Sequence, residues 1–109
     1  MDSYKVQFSD IAGTQLDAYI VYIQYELMND QAAASVWSDF AETSKELEKV
    51  AGSLKFCDTP ELRERGYRKI RFLHHRYVML YKIVDGVVRV DGIYHELQDY
   101  EHIFTEMLK

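Results

Sequence analysis

The spacing of apolar residues in the first half of the chain predicts one short strand followed by two helices. Residues 4–8 alternate polar and apolar side chains, which is typical of a strand with one buried face. Ser9 and Asp10 can cap a helix that runs to about Met28, and a second helix follows over residues 31–50. The short turn between them predicts an antiparallel helical hairpin. Its expected core residues, helical aromatics included, recur three or four positions apart: Leu16, Tyr19, Ile20, Ile23, Leu27, Ala33, Val36, Trp37, Phe40, Leu47 and Val50.

The second half of the chain changes to a period of two, which indicates strands. Residues 51–66 contain two glycines and the single proline, and we predict a loop there. Residues 68–73 alternate basic and apolar side chains, and His74 and His75 lie where a turn would follow. Residues 77–83 are an apolar and aromatic run broken only by Lys82, suited to a strand that is covered on both faces.

The last quarter of the chain predicts a hairpin and a terminal helix. Asp85-Gly86 is a strong signal for a tight turn, after which residues 87–94 form another strand. Residues 99–108 can form a short helix. With no internal repeat or linker in the sequence, we predict one α+β domain over residues 1–109, in the order β-α-α-β-β-β with the terminal helix last.

The composition narrows the class of protein. Apolar residues make up 48% of the chain and there are nine tyrosines, which favours a packed globule over a disordered chain. No apolar run approaches the roughly 20 residues that cross a bilayer, and the N-terminus has no signal-peptide pattern. Cys57 is the only cysteine and cannot form an internal disulfide, which fits a reducing cytosol. We therefore expect a cytoplasmic protein with no membrane contact.

Positive charge is concentrated in one stretch of an otherwise acidic chain. Residues 63–76 hold six basic residues and one acid, a local charge of +5 in a protein of net charge −5. On a strand, Lys69 and Arg71 project from the same face, and Arg76 lies just beyond the turn. Such a cluster suits phosphate, which arginine binds through two parallel hydrogen bonds. An acidic protein segment, or acids of the chain itself on a solvated face, would satisfy the same charges.

His95 ends the last predicted strand and is a candidate acid or base. That strand should pair near the one that follows Arg76, so both side chains could line one cleft. Imidazole titrates near neutral pH, although a histidine at a strand end can also be structural. The four histidines lack metal-ligand spacing, and no Gly-rich phosphate loop or dinucleotide fingerprint is present. We therefore expect neither a metal nor a cofactor.

Two segments resemble the RelE/ParE superfamily of toxins from bacterial type II toxin–antitoxin systems. Residues 4–23, YKVQFSDIAGTQLDAYIVYI, are similar to the family's opening strand and first helix, with a serine at the strand end and an LD-x-x-x-x-YI pattern. Residues 66–104 are similar to its C-terminal sheet. They run from Gly-Tyr-Arg through a basic strand, an aromatic strand and a hairpin turn to a strand that ends in Tyr-His, with Asp-Tyr following. The resemblance implies two helices packed on a twisted antiparallel sheet, as in small microbial ribonucleases.

The resemblance also implies a partner and two alternative activities. The partner is a cognate antitoxin whose flexible C-terminal segment wraps and neutralises the toxin in a hetero-oligomer. RelE-like and YoeB-like members cleave mRNA in the ribosomal A site without a metal, whereas ParE-like members inhibit DNA gyrase. The leading expectation is a ribosome-dependent mRNA endoribonuclease, and a non-catalytic gyrase inhibitor is the alternative.

The same resemblance implies site residues. His75-Arg76 is similar to a His-Arg pair in YoeB-like enzymes whose arginine is catalytic, and Tyr94-His95 is similar to their terminal Tyr-His, whose histidine is catalytic. The third catalytic residue there is a glutamate upstream of Gly-Tyr, and here Asp58 and Glu61 both lie in that loop. The expected catalytic residues are therefore Arg76, His95 and either Asp58 or Glu61. The expected RNA-binding residues are Arg68, Lys69, Arg71, His75 and Tyr94.

Such a set would serve attack of the ribose 2′-hydroxyl on the adjacent phosphate. A carboxylate or a histidine would take the proton of the hydroxyl. Arg76, with Arg71, would stabilise the charge on the phosphoryl group, and His95 would protonate the leaving 5′-oxygen.

Overall fold

The computed structural model describes residues 3–109, and within that range it contains four β-strands and four α-helices. The strands are β1 (Lys5–Phe8), β2 (Arg68–Arg71), β3 (Tyr77–Val84) and β4 (Val87–His95). The helices are α1 (Asp10–Val21), α2 (Asp30–Val50), α3 (Pro60–Glu64) and α4 (Tyr100–Met107). No helix in residues 3–109 is both long enough and apolar enough to span a bilayer.

The strands form one sheet in the order β1-β4-β3-β2. Strands β2, β3 and β4 pair antiparallel, whereas β1 lies parallel to β4. The predicted α+β class is confirmed, with one correction to the expected antiparallel sheet at its β1 edge. The reason is topological: a parallel pair needs a long crossover connection, and the chain between β1 and β4 provides it, since it contains the first three helices and strands β2 and β3.

The β3–β4 hairpin is the centre of the sheet and brings two candidate residues together. Its turn is the predicted Asp85-Gly86, and both residues have positive φ angles, 51° and 78°. Turns of this kind match the right-handed twist of paired strands. At the open end of the hairpin Tyr77 pairs with His95, so Arg76 and His95 lie at the same end of the sheet.

Apolar side chains cover both faces of the sheet. Helices α1 and α2 pack on one face, and α3 and α4 pack on the other. Along β3 the side chains alternate between these two cores: Met79 and Tyr81 lie in the first, and Val78 and Leu80 in the second. This two-sided burial explains why residues 77–81 are an unbroken apolar and aromatic run.

The first helix ends earlier than its apolar pattern predicts. Helix α1 stops at Val21, and a π-helical turn, Tyr22–Glu26, replaces the continuation to about residue 28. In that turn the Leu27 N–H donates to the Tyr22 carbonyl at 3.1 Å, one residue further back than in an α-helix. The wider turn shifts the phase of the helix face, which a fixed 3.6-residue period does not anticipate.

The predicted loop over residues 51–66 is not wholly irregular. It begins with a 3-10 turn, Ala51–Ser53, and contains the short helix α3. Pro60 lies in the first turn of α3, where a backbone N–H has no partner within the helix, so the missing N–H of proline costs no hydrogen bond. Leu62 of α3 is fully buried in the second core. A helix of five residues is too short for periodicity to reveal, so the glycines and the proline dominated the prediction.

Helix α2 buries most of the predicted stripe but not Trp37. Trp37, expected in the core, is 53% exposed and rests against Phe40 with ring centroids 5.5 Å apart. The inward positions next to it are taken by Asp39 and Thr43, which are buried. Tyr22 and Tyr25, which follow α1, are exposed as well, so the helical aromatics are not all core residues.

A charged cluster fastens α4 to β2 and to the start of α3. The Glu101 carboxylate accepts hydrogen bonds from Lys69 Nζ at 2.8 Å, from Thr59 N at 2.8 Å and from Asp58 N at 3.3 Å. Burial alone would raise the pKa of Glu101, but these hydrogen bonds outweigh it and lower the pKa to about 2. Glu101 is therefore ionised in the folded protein across the neutral and mildly acidic range.

Replacing this carboxylate should destabilise the fold in a pH-dependent way. Glu101→Gln is expected to lower the free energy of unfolding by about 2 kcal/mol at pH 7, since hydrogen bonds to a charged acceptor are lost. Because the pKa of Glu101 is lowered in the folded protein, its carboxylate stabilises the fold at pH values above the pKa of an unfolded glutamate, about 4.3. That contribution disappears as the pH falls toward 2. The difference between wild type and variant, measured by urea unfolding, should therefore be smaller at pH 3 than at pH 7.

Glu106→Gln is the matched control, because Glu106 lies on the same helix in an exposed pair with Lys109 at 3.4 Å. Exposed pairs contribute about 0 to 1 kcal/mol. Equal destabilisation by the two substitutions would contradict the role given to Glu101.

Candidate functional site

A cleft of about 540 Å³ opens between the helices and the end of the β3–β4 hairpin. Its apolar wall comes from the π-helical turn and α2, and its polar wall comes from the turn between β2 and β3 and from the end of β4. The lining residues are Tyr22, Ile23, Leu27, Ala32, Val36, His74, His75, Arg76, Tyr77 and His95. The structure thus places Arg76, His75 and His95 around one cavity, with His74 beside them. Concave sites with a few converging polar groups are where ligands most often bind.

His75 is held in the turn by a buried carboxylate. Its Nδ1 lies 2.6 Å from Asp39 Oδ2, and Asp39 is only 1% exposed. The His74 backbone N–H donates to the same oxygen at 3.0 Å, and the Thr43 hydroxyl donates to Asp39 Oδ1 at 3.2 Å. Thr43 also accepts from the Leu73 N–H at 3.1 Å. The turn between β2 and β3 is therefore fastened to α2 along its length.

The ionised state of Asp39 follows from these contacts. Burial raises the pKa of the Asp39 carboxyl, but the hydrogen bonds from His75, His74 and Thr43 together lower it below the usual value. Asp39 did not enter the sequence-based prediction of the site. The signal that could have found it is an aspartate within the apolar stripe of an amphipathic helix, between Val36 and Phe40.

His95 reaches the cleft from the end of β4. Its ring meets the Tyr77 ring edge-on with centroids 5.2 Å apart. The Leu97 N–H donates to His95 Nδ1 at 3.2 Å, and the Gln98 side chain accepts from the His95 backbone N–H at 2.9 Å. These contacts with the turn after β4 orient the imidazole at the rim.

Arg76 and Arg71 share one acid at the rim of the cleft. Glu96 Oε2 lies 2.8 Å from Arg71 Nε, and Glu96 Oε1 lies 3.3 Å from Arg76 Nε. The Glu96 N–H also donates to the Arg76 carbonyl at 2.8 Å, so the backbone keeps this acid in place. Arg76 is nevertheless 64% exposed and retains donors beyond the one that faces Glu96.

The other predicted RNA-binding residues lie elsewhere. Lys69 is engaged by Glu101 and lies 3.5 Å from Asp58, so its charge is matched by acids. Arg68 donates to the Leu54 carbonyl and stacks over Phe56, with 3.9 Å from the guanidinium carbon to the ring centroid. Tyr94 is 2% exposed in the second core.

The two carboxylates proposed for catalysis also lie outside the cleft. Asp58 is exposed beside Lys69, and Glu61 is exposed on α3. Neither is among the described residues that line the cavity. The predicted basic surface therefore separates into a neutralised cluster around Glu101 and a cleft that holds Arg76 and the histidines.

The fold has a counterpart among solved structures, although the sequence has no close match. A chain from the "Chromosomal ParDE TA system from P. aeruginosa" is similar with a TM-score of 0.70 at 17% identity, over 85% of this chain and 96% of that chain. No family model and no curated protein matches the sequence. The similarity confirms the RelE/ParE-like fold inferred from the sequence.

Removing the shared acid at the rim should expose two cations. Glu96→Gln is expected to increase the affinity for a single-stranded polyanion such as oligo(U), because Arg71 and Arg76 lose their counter-charge. Each cation that newly contacts phosphate steepens the slope of log K against log salt by about 0.7 for a single strand. The two arginines should therefore steepen it by about 1.4 in a fluorescence titration across salt concentrations.

Glu106→Gln again serves as the control, since it changes the net charge equally but lies on α4 beside Lys109. If both variants gave the same slope, the gain would come from net charge alone, and the role given to Glu96 would be refuted.

Proposed function

We propose that this protein is the toxin of a type II toxin–antitoxin system and acts as a ribosome-dependent mRNA endoribonuclease. One observation carries the proposal: an exposed arginine, Arg76, and two imidazoles, His75 and His95, line the same cleft. A cation beside groups that can move protons at neutral pH is what phosphodiester cleavage requires. The structural neighbour comes from a ParDE TA system, which supports the toxin assignment.

The proposed reaction is an internal transfer of the phosphoryl group. The ribose 2′-hydroxyl loses its proton and its oxygen attacks the adjacent phosphorus, while the bond from phosphorus to the 5′-oxygen breaks. Arg76 stabilises the added negative charge on the phosphoryl oxygens. His95 acts as the acid once Nδ1 is protonated as well, which breaks its contact with the exposed Leu97 N–H, and Nε2 then protonates the departing 5′-oxygen. The products are a 2′,3′-cyclic phosphate and a 5′-hydroxyl end, so atoms and protons balance without a water molecule.

Expression of the chain without an antitoxin should arrest growth of a bacterial host and produce new mRNA 5′-hydroxyl ends. Arg76→Ala is expected to reduce cleavage about 10²–10³-fold, as for loss of one donor to a developing oxyanion. His95→Gln should reduce it about 10²–10⁴-fold, as for loss of a positioned acid. Mapping of 5′-hydroxyl ends across the transcriptome, with growth curves, measures both effects.

Arg89→Ala is a suitable control for charge, because Arg89 is half exposed on β4 and lies beside Asp91 rather than at the cleft. This variant should arrest growth as the wild type does. Growth arrest with intact transcripts would refute the nuclease. Loss of gyrase supercoiling in vitro would then indicate the gyrase-inhibitor alternative.

The apolar wall of the cleft supports the proposal of an antitoxin partner. Tyr22 and Leu27 are more than half exposed and lie across the cavity from Arg76. A segment with both apolar and acidic side chains would bury Tyr22 and Leu27 and form an ion pair with Arg76. Because buried apolar contacts are not screened by salt, such a complex should persist at high ionic strength. By covering Arg76 and His95, the segment would also keep mRNA out.

Leu27→Asp is expected to weaken the complex with the antitoxin encoded by the adjoining gene by about 2 kcal/mol, roughly thirtyfold in Kd. Ile11→Asp is the matched control, since Ile11 is similarly exposed on α1 but does not line the cleft. Calorimetry at low and high salt would measure both affinities. Equal affinities for the two variants would show that the antitoxin binds elsewhere.

A further inference from the structure

The proposed reaction still needs a base for the 2′-hydroxyl proton, and the loop carboxylates do not provide one at the cleft. Asp58 has a 76% exposed side chain beside Lys69, and Glu61 lies on α3. Neither is among the described residues that line the cavity with Arg76 and His95. The base must therefore come from another residue of the cleft.

We propose that His75 is this base and that Asp39 is the positioning residue that prepares it. The inference rests on the proposed nuclease function and assigns the proton acceptor of that reaction. It starts from an unusual placement: an ionised carboxylate that is 1% exposed, on the inward stripe of a helix. A buried charge is costly unless it is hydrogen-bonded, and here three donors surround Asp39: the His75 ring, the His74 N–H and the Thr43 hydroxyl.

The contact with Asp39 determines which nitrogen of His75 carries the proton. An ionised carboxylate can only accept, so His75 Nδ1, 2.6 Å from Asp39 Oδ2, must donate. In the neutral ring Nε2 then has a free lone pair. A carboxylate that holds a histidine in this way fixes its tautomer and stabilises the imidazolium that forms when it takes a proton.

In the other two histidines at the cleft, the proton lies on the other ring nitrogen, Nε2. His95 Nδ1 accepts from the Leu97 N–H, so its neutral ring carries the proton on Nε2. His74 Nε2 lies 3.1 Å from Glu42, an exposed carboxylate, so that nitrogen donates. Of the three histidines at the cleft, His75 is therefore the one that presents an unprotonated Nε2.

A serine hydroxyl already lies next to the nitrogen of His75 that would accept the proton. Ser35 Oγ lies 3.4 Å from His75 Nε2, on the side of the ring away from Asp39. The His75 ring is 29% exposed, and Ser35 is exposed on α2. A ribose 2′-hydroxyl that displaced the Ser35 hydroxyl could pass its proton to His75 Nε2, after which its oxygen attacks phosphorus.

Three variants separate this role from a structural one. Asp39→Asn should remove the negative charge that stabilises the imidazolium formed when His75 takes a proton, while the amide oxygen still accepts from the His74 N–H and from His75 Nδ1 and so keeps the tautomer. Cleavage should then fall about 10²–10⁴-fold, as for loss of a general base. Glu42→Gln alters the carboxylate that contacts His74, and it should change neither the state of His75 nor the cleavage rate. Ser35→Ala removes only the competing hydroxyl and should cleave at least as fast as wild type.

The readouts are the tautomer and protonation state of His75 from ¹⁵N and ¹³C NMR of the purified chain, and the cleavage rate on ribosome-bound mRNA against pH. The titratable and charged groups around the ring are Asp39 and Glu42 on α2, His74 and Arg76 in the turn, and His95 on β4. Asp39→Asn should abolish or shift the limb of the pH profile that reports the base. A rate that falls only in proportion to lost folded protein, with an unchanged pH profile, would overturn the inference.

His75→Ala keeps the inference testable if Asp39→Asn does not fold. Added imidazole should restore cleavage by His75→Ala at least tenfold, but should not accelerate His74→Ala. Absence of rescue, or cleavage by either Asp39→Asn or His75→Ala at the wild-type rate, would overturn the base assignment and leave the nuclease standing. A wild-type chain that cuts no RNA would overturn the nuclease and the base together.

Discussion

The buried carboxylate of Asp39 joins the two parts of the protein that make the cleft. It comes from α2, yet its hydrogen-bond donors include the backbone of His74 and the ring of His75, which belong to the turn between β2 and β3. A carboxylate in an apolar environment must find donors, and a tight turn has free N–H groups to offer. The turn therefore supplies hydrogen-bond donors to the carboxylate, and the carboxylate supplies acceptors to the turn. The orientation of the turn, and with it the direction in which Arg76 leaves it, depends on this exchange.

Acidic residues elsewhere determine how the basic stretch is used. Glu101 engages Lys69 while it fastens α4 across the sheet, so that cation serves the fold. Glu96 pairs with Arg71 and Arg76 at the surface, where solvent weakens the attraction and a phosphate can compete. The basic residues of this stretch thus have different roles because the acids that pair with them, Glu101 and Glu96, differ in burial.

Much of the fold could be predicted from the sequence. The strands, the helical hairpin and the Asp85-Gly86 turn each have a local cause that side-chain spacing or backbone preference makes visible. The parallel pairing of β1, the π-helical turn and helix α3 could not be predicted in the same way. They depend on contacts between distant segments, or are too short for a period to emerge. Trp37 is exposed for a related reason: the inward stripe passes through the buried polar residues Asp39 and Thr43, whereas the pattern counted only apolar residues.

For the candidate site, the sequence by itself determined which residues carry positive charge and which imidazoles lie at strand ends, since these follow from residue type and order. It placed Arg76 and His95 at one end of a hairpin, and the register of β3 and β4 brings those ends together. Only the tertiary structure decided that Lys69 and Tyr94 are taken up by the fold and that His75 is held by a carboxylate 36 residues earlier in the chain. That pairing arises where a helix meets a turn, and no local pattern records which buried carboxylate will find which donor.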